Sequence, residues 1–127
     1  MALNICSFNC RGLKGSVTDL NVLARSFEIS CLQETWLMPS DLGILNDILS
    51  EMTGFGISGM DDKQDLHRGR PHGGVAIMWR KSLPYNISRV YSGYNWLTAL
   101  RLTDSTGIVL TVINAYKCKK TAVYAHC

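Results

Sequence analysis

An α/β fold is the class this sequence predicts, from three observations. Two buried strand patterns, around residues 3–9 and 29–33, each close on a polar residue; an amphipathic helical spacing lies between them; and a hairpin pattern surrounds Thr103-Asp104-Ser105-Thr106-Gly107. With 127 residues, 46% hydrophobic and 18% charged, the chain has the length and composition of one globular domain with room for a core.

Leu3 to Asn9 carries apolar residues on both parities, Leu3 and Ile5 on one face, Cys6 and Phe8 on the other. That pattern predicts a central strand covered on both sides. Ser16 with Asp19 reads as a variant capping box, and Val17, Leu20, Leu23, Ala24 and Phe27 recur at helical spacing, so a helix is expected over about 17–27. Ile29 to Gln33 then forms a second buried strand. A helical crossover makes the two strands parallel and puts Asn9 and Glu34 at one sheet edge, within reach of a common ligand.

Pro39 and Ser40 open a second expected helix, in which Leu42, Leu45, Leu49 and Met52 repeat at three- and four-residue steps before Gly54 and Gly56. From Gly59 to His72 the chain turns polar and reads as a loop, with His67, Arg68, Arg70 and His72 near its end. Such a loop is either a solvated surface or a phosphate contact. After Gly73-Gly74, Val75 to Trp79 reads as a buried strand, and a further strand runs through Ile87 and Val90. The hairpin follows, with Asn114 and Tyr116 on one face of its returning strand. Residues 117–127 show no convincing period and are expected to be an irregular tail.

A net charge of +3 permits a polyanionic partner without requiring one. No apolar run approaches a bilayer span and Met1 to Ile5 has no signal-peptide pattern, so no membrane is expected and an intracellular location is, with nucleus and cytoplasm unresolved. The sequon Asn86-Ile87-Ser88 is discounted on the same ground. Cys6, Cys10, Cys31, Cys118 and Cys127 include no Cys-x-x-Cys pair, which argues against a disulfide framework or a zinc ribbon. Cys118, His126 and Cys127 read as tail residues rather than ligands.

Glu34 is the residue around which a function gathers. A carboxylate at the end of a buried run must be satisfied by a salt bridge, backbone N–H groups, water or a divalent cation.

Four stretches carry a family resemblance: Ser7-Phe8-Asn9-Cys10-Arg11-Gly12-Leu13, Leu32-Gln33-Glu34-Thr35-Trp36-Leu37, Gly73-Gly74-Val75-Ala76-Ile77 and Val112-Ile113-Asn114-Ala115-Tyr116. In this order they resemble the endonuclease/exonuclease/phosphatase superfamily, and the first two look especially like the apurinic-type endonuclease domain of non-LTR (LINE-like) retrotransposons, which precedes a reverse transcriptase. The resemblance implies a partial domain over 1–116, the N-terminal half of a four-layer α/β sandwich with two sheets and outer helices, truncated, and a tail over 117–127 unlike the family. It further implies hydrolysis of DNA phosphodiesters with Mg²⁺ or Mn²⁺, Glu34 and Asn9 being metal ligands and Asn9, Glu34 and Tyr116 catalytic residues. Arg11, Arg68 and Arg70, with Lys14, are candidate nucleic-acid contacts.

Two stretches of the family pattern are absent. Its Gly-Asp-Phe-Asn and Ser-Asp-His motifs, which supply a water-activating Asp and a phosphate-stabilising His, do not occur, and Lys117-Cys118-Lys119-Lys120 stands where a Pro is usual. Little turnover is therefore expected of this chain alone. The alternatives are a noncatalytic retroelement-derived remnant that binds nucleic acid weakly, and a phosphatase of small phosphate esters. Half a sandwich also leaves a sheet face and an edge uncovered, which predicts self-association.

Overall fold

The structure, a computed structural model, describes residues 3–60, 72–117 and 120–126. Strands β1 (Ile5–Asn9), β2 (Ile29–Gln33), β3 (Met52–Ile57) and β4 (Val75–Arg80) form one sheet in the order β1-β2-β4-β3. Strands β5 (Asn86–Val90), β6 (Leu97–Thr103), β7 (Val109–Lys117) and β8 (Lys120–His126) form a second, antiparallel sheet in sequence order. One helix, α1 (Val17–Ser26), connects β1 to β2, which pair in parallel with Asn9 opposite Gln33.

Alternation along the buried strands divides the core in two. On β2 and β4, Leu32, Ala76 and Met78 face Leu20 of α1 and Leu37 and Leu45 beyond it, while Ile29, Cys31 and Ile77 face Leu100, Leu102 and Val112 of the second sheet. All five residues of β2 are buried, because helix covers one side and sheet the other. Each fully enclosed leucine or isoleucine contributes about 1.5–3 kcal/mol of burial, so this double coverage holds the two sheets face to face. The result is a two-sheet α/β sandwich, as expected. Among the described residues helical structure covers the first sheet only.

Several expectations are corrected. Residues Ile5–Asn9 form an edge strand rather than a central one: β1 pairs with β2 alone among the described strands, and Ser7 and Asn9 are exposed. Ser16 makes no side-chain cap on α1; its Oγ donates instead to Cys10 O at 2.7 Å, tying the helix start to the loop after β1. The second expected helix is a 3-10 segment, Pro39–Asn46, and Met52 begins a strand. Leu45, Leu49 and Met52 are buried nonetheless, so the apolar spacing reported burial correctly and helix type wrongly. Gly54 and Gly56 do not end a helix but lie within β3, opposite Met78 and Ala76; a Cβ at Gly54 would stand 2.7 Å from Ile77 O. Residues 120–126, read as part of an irregular tail, form β8 along most of β7, from Lys117↔Lys120 to Thr111↔His126. Thr121, Val123 and Tyr124 have strand preference, but the alanines between them blur the alternation.

The hairpin forms as expected. Asp104 Oδ1 accepts from Thr106 N (2.9 Å), Thr106 Oγ1 (2.6 Å) and Ile108 N (3.0 Å), and Gly107 takes the positive φ of +89° that the turn requires. No helix among the described residues is long and apolar enough to cross a membrane.

Candidate active site

The C-terminal ends of β1, β2 and β7 meet at one mouth of the sandwich. Asn9 is the last residue of β1, opposite Gln33, and Glu34 follows immediately on β2, so the first two candidate residues are neighbours at the sheet end. Asn9 is exposed and Glu34 half-buried. Tyr116 comes from the other sheet. It lies two residues beyond Asn114 on the same face of β7, about 7 Å further along the strand, and Asn114 reaches across to the first sheet.

That crossing is a polar link inside an apolar core. Gln33 Nε2 lies 3.0 Å from Asn114 Oδ1, and Asn114 Nδ2 donates to Leu32 O and Ala76 O, both at 2.9 Å. Gln33 Nε2 also lies within bonding distance of Ser7 Oγ (3.1 Å) and Cys31 O (3.2 Å). Two carbonyls that can only accept fix the Asn114 amide, and its oxygen in turn fixes Gln33. Sequence reasoning assigned neither residue this role. The available signal was a polar side chain at an inward position one residue before Glu34, and another two residues before Tyr116.

Backbone strain is confined to the same mouth. Arg11 (φ 46°), Glu34 (φ 50°) and Trp36 (φ 58°) are the non-glycine residues with positive φ among those described. Each costs about 1–2 kcal/mol, and such conformations persist only where the surroundings over-determine them. Here they are bonded on both sides. Gly12 N donates to Glu34 O (2.9 Å) and Leu13 N to Thr35 O (2.9 Å), while Thr35 N donates to Gly74 O (3.2 Å) and Trp36 N to Gly73 O (3.0 Å). Residues 34–36 are thus strapped between the loop after β1 and Gly73-Gly74. The Trp36 ring lies on Gly12, where an added Cβ would stand 2.7 Å from Cε3.

Among the described residues the charges near the mouth are few. Arg11 is exposed, and its amide donates to Asn9 Oδ1 at 3.2 Å, closing a short turn that sets the Asn9 side chain. Lys14 is paired with Asp41 at 3.1 Å, an exposed contact of small energetic value. Arg68 and Arg70, like His67, lie outside the described residues. His72 is exposed. Burial, then Cys6, then the Glu34 carboxylate push the Cys10 thiol up to about 12; burial and Cys6 do the same to Cys31. Both are thus held protonated at neutral pH, which disfavours them as nucleophiles. Among the described residues no group of three His, Cys, Asp or Glu side chains is placed to share a metal. Asp19 lies in α1, Asp41 in the 3-10 segment Pro39–Asn46, Asp47 just after it and Asp104 in the β6–β7 turn, so none of these stands at the end of β1, β2 or β7. Among the described residues the mouth brings together the Glu34 carboxylate and the Asn9 amide beside a fixed backbone strap, with Tyr116 on the facing sheet.

A solved structure shares this architecture. The crystal structure of the AP endonuclease LMAP from Leishmania major superposes with a TM-score of 0.62 at 15% identity, over 91% of this chain and 40% of that one. The chain therefore spans well under half the length of that relative. No curated protein sequence matches it. The profile of the Endonuclease/Exonuclease/phosphatase family matches residues 6–117, which contain all four sequence motifs and the strand ends that build the mouth. The chain belongs to the Endonuclease/Exonuclease/phosphatase family.

Proposed function

We propose that the chain is the N-terminal part of a divalent-metal-dependent DNA phosphodiesterase of the retroelement endonuclease type, and that it turns over little or no substrate by itself. The observation that carries this reading is that, among the described residues, left-handed non-glycine backbone occurs at Arg11, Glu34 and Trp36, around the Glu34 carboxylate at the mouth. Strain of this kind is retained where it positions a functional group.

Glu34 and Asn9 are the residues that would hold Mg²⁺ or Mn²⁺. When bound, the cation supplies charge neutralisation at the phosphate and the leaving oxygen. Glu34 contributes the formal charge, and the strap that crosses it fixes its direction. Asn9 Oδ1 has a lone pair beyond the one Arg11 N uses, and its amide N–H groups can donate to a phosphate oxygen. Tyr116 supplies a second neutral donor from the opposite sheet, so phosphate is bound without a competing carboxylate. Arg11 adds positive charge at the rim, and Arg68 and Arg70 are assigned the same role. Hydrolysis further needs a group to activate water and another to stabilise the reacting phosphate. The absent Gly-Asp-Phe-Asn and Ser-Asp-His motifs would provide them, so a longer chain or a second polypeptide completes the site. Among the described strands β1 pairs on one side only, so its other edge would take such a strand or a second copy, and light scattering against concentration would detect the latter.

The test separates binding from turnover. Mn²⁺ titration, followed by water-proton relaxation, should give one site that Glu34→Ala abolishes, while plasmid nicking with Mg²⁺ stays near the level seen with EDTA. Absence of Glu34-dependent Mn²⁺ binding overturns the reading. A noncatalytic remnant that binds nucleic acid weakly is the second reading, favoured by the lack of any three-ligand cluster among the described residues. A phosphatase of small esters is the third, and nothing at the mouth favours it over DNA.

A further inference from the structure

One cluster near the mouth is used by neither the core nor the phosphate-binding residues. The loop between β5 and β6 carries Tyr94, 56% exposed, and Trp96, whose rings lie 5.0 Å apart at an interplanar angle of 31°. Lys117 Nζ sits 5.3 Å from the Trp96 ring. Trp96 is half-buried and Tyr94 exposed, so Tyr94 in particular forgoes the burial that would stabilise a core, and core packing does not account for it.

Their place in the fold is fixed by two sets of bonds. Trp96 O accepts from Tyr116 N at 2.9 Å, which locks the cluster to the candidate phosphate-binding tyrosine. Ser92 Oγ accepts from Tyr94 N (3.1 Å) and lies 3.1 Å from Leu97 O, so the loop is held from within. A platform held in this way loses little entropy when something stacks on it.

We propose that Tyr94, Trp96 and Lys117 form a stacking platform for an unpaired nucleobase, next to the phosphodiester held at Asn9, Glu34 and Tyr116. The proposal rests on the phosphodiesterase reading and deepens it, because it names the substrate as single-stranded or locally opened nucleic acid. Aromatic faces accept any base, and a neighbouring lysine attracts the phosphate that follows it. A flat aromatic patch for a protein partner would be equally exposed. The cation against the ring and the bond to Tyr116 favour the nucleotide.

The experiment is fluorescence anisotropy in EDTA with the full chain and two labelled probes, short oligo(dT) and an abasic oligomer of equal length and charge. Oligo(dT) should bind about tenfold more tightly than the abasic oligomer, within the range expected for aromatic stacking. Tyr94→Ala, at an exposed position where folding is not at stake, should abolish that preference and leave abasic binding unchanged. Lys117→Ala should weaken both probes alike. Equal binding of the two probes by the wild-type chain overturns the proposal, as does a preference that survives in Tyr94→Ala. Loss of self-association in Tyr94→Ala with probe binding intact also overturns it, and assigns the patch to a protein contact. EDTA makes the result independent of Glu34: if Mn²⁺ binding fails while the base preference holds, the phosphodiesterase reading falls and the platform stands.

Discussion

Gln33 on β2 and Asn114 on β7 meet side chain to side chain at 3.0 Å between the two sheets, and both are enclosed. The pair sits directly beneath the mouth, so the bond that joins the sheets also sets the spacing between Glu34 and Tyr116. Satisfied polar groups in an apolar interface specify one alignment, because any slip leaves an amide without partners.

Asn114→Ala should lower stability by about 2–4 kcal/mol, since it removes the partner of Gln33 and both bonds to Leu32 O and Ala76 O. Ser7→Ala should cost less than about 1 kcal/mol, because Gln33 keeps its other acceptors. Urea unfolding of the two variants checks this. Similar losses for both would mean that the link between the sheets contributes nothing beyond an ordinary hydrogen bond.

Glu34→Gly should be more stable than Glu34→Ala by about 1 kcal/mol, because φ is 50° at this position and glycine alone takes it without steric cost. Both variants lack the carboxylate and should fail to bind Mn²⁺. Position 34 thus holds a side chain in a conformation that suits glycine better. Thermal unfolding of the pair, compared at the melting midpoint, measures the difference. An alanine variant as stable as the glycine variant would show that residue 34 carries no strain.

Much of this was legible in the sequence because buried strands leave plain traces. The runs through Phe8, Leu32, Ile77 and Val112 are continuous enough to give strands, and the crossover through Leu20 forces β1 and β2 to be parallel. Asn9 and Glu34 therefore fall at one sheet end on the sequence pattern alone, and the register sets Asn9 opposite Gln33, the residue before Glu34. What was lost has local causes. Leu42 to Met52 has helical spacing yet folds as a 3-10 segment and the start of β3, since leucines four apart can be buried by either path. The role of Asn114 could not be read, because its partners Leu32 O and Ala76 O are backbone atoms 82 and 38 residues away. Positive φ at Arg11, Glu34 and Trp36 is equally hidden, as none is a residue type that announces it.

The hairpin should weaken in acid. Hydrogen bonds from Thr106, and then from the backbone amides of Ile108, Thr106 and Gly107, hold the Asp104 carboxyl below its ordinary value of 3.8. A depressed native pKa means that the unfolded chain takes up the proton first. The stabilisation is therefore complete above the unfolded value and is lost as pH falls through the folded one. Asp104→Asn should remove this part of the pH dependence below about pH 4 and leave the neutral-side profile unchanged. Tm measured against pH for both chains tests it, and superimposable acid limbs would rule the contribution out.

Thr98 offers a change expected to stabilise. It is fully buried, stands opposite Asn114 in the β6–β7 register, and its Oγ1 has no hydrogen-bond partner among the described residues. An unmet hydroxyl carries its desolvation cost without return, and valine has nearly the same shape and the same preference for strand. Thr98→Val should therefore raise the urea midpoint, corresponding to about 1 kcal/mol, with the slope unchanged. Since Asn114 is the cross-strand neighbour, a fall instead would mean that Thr98 helps hold the amide through a bridging water. In the double variant with Asn114→Ala the two effects would then fail to add, which a cycle of the four chains would measure directly.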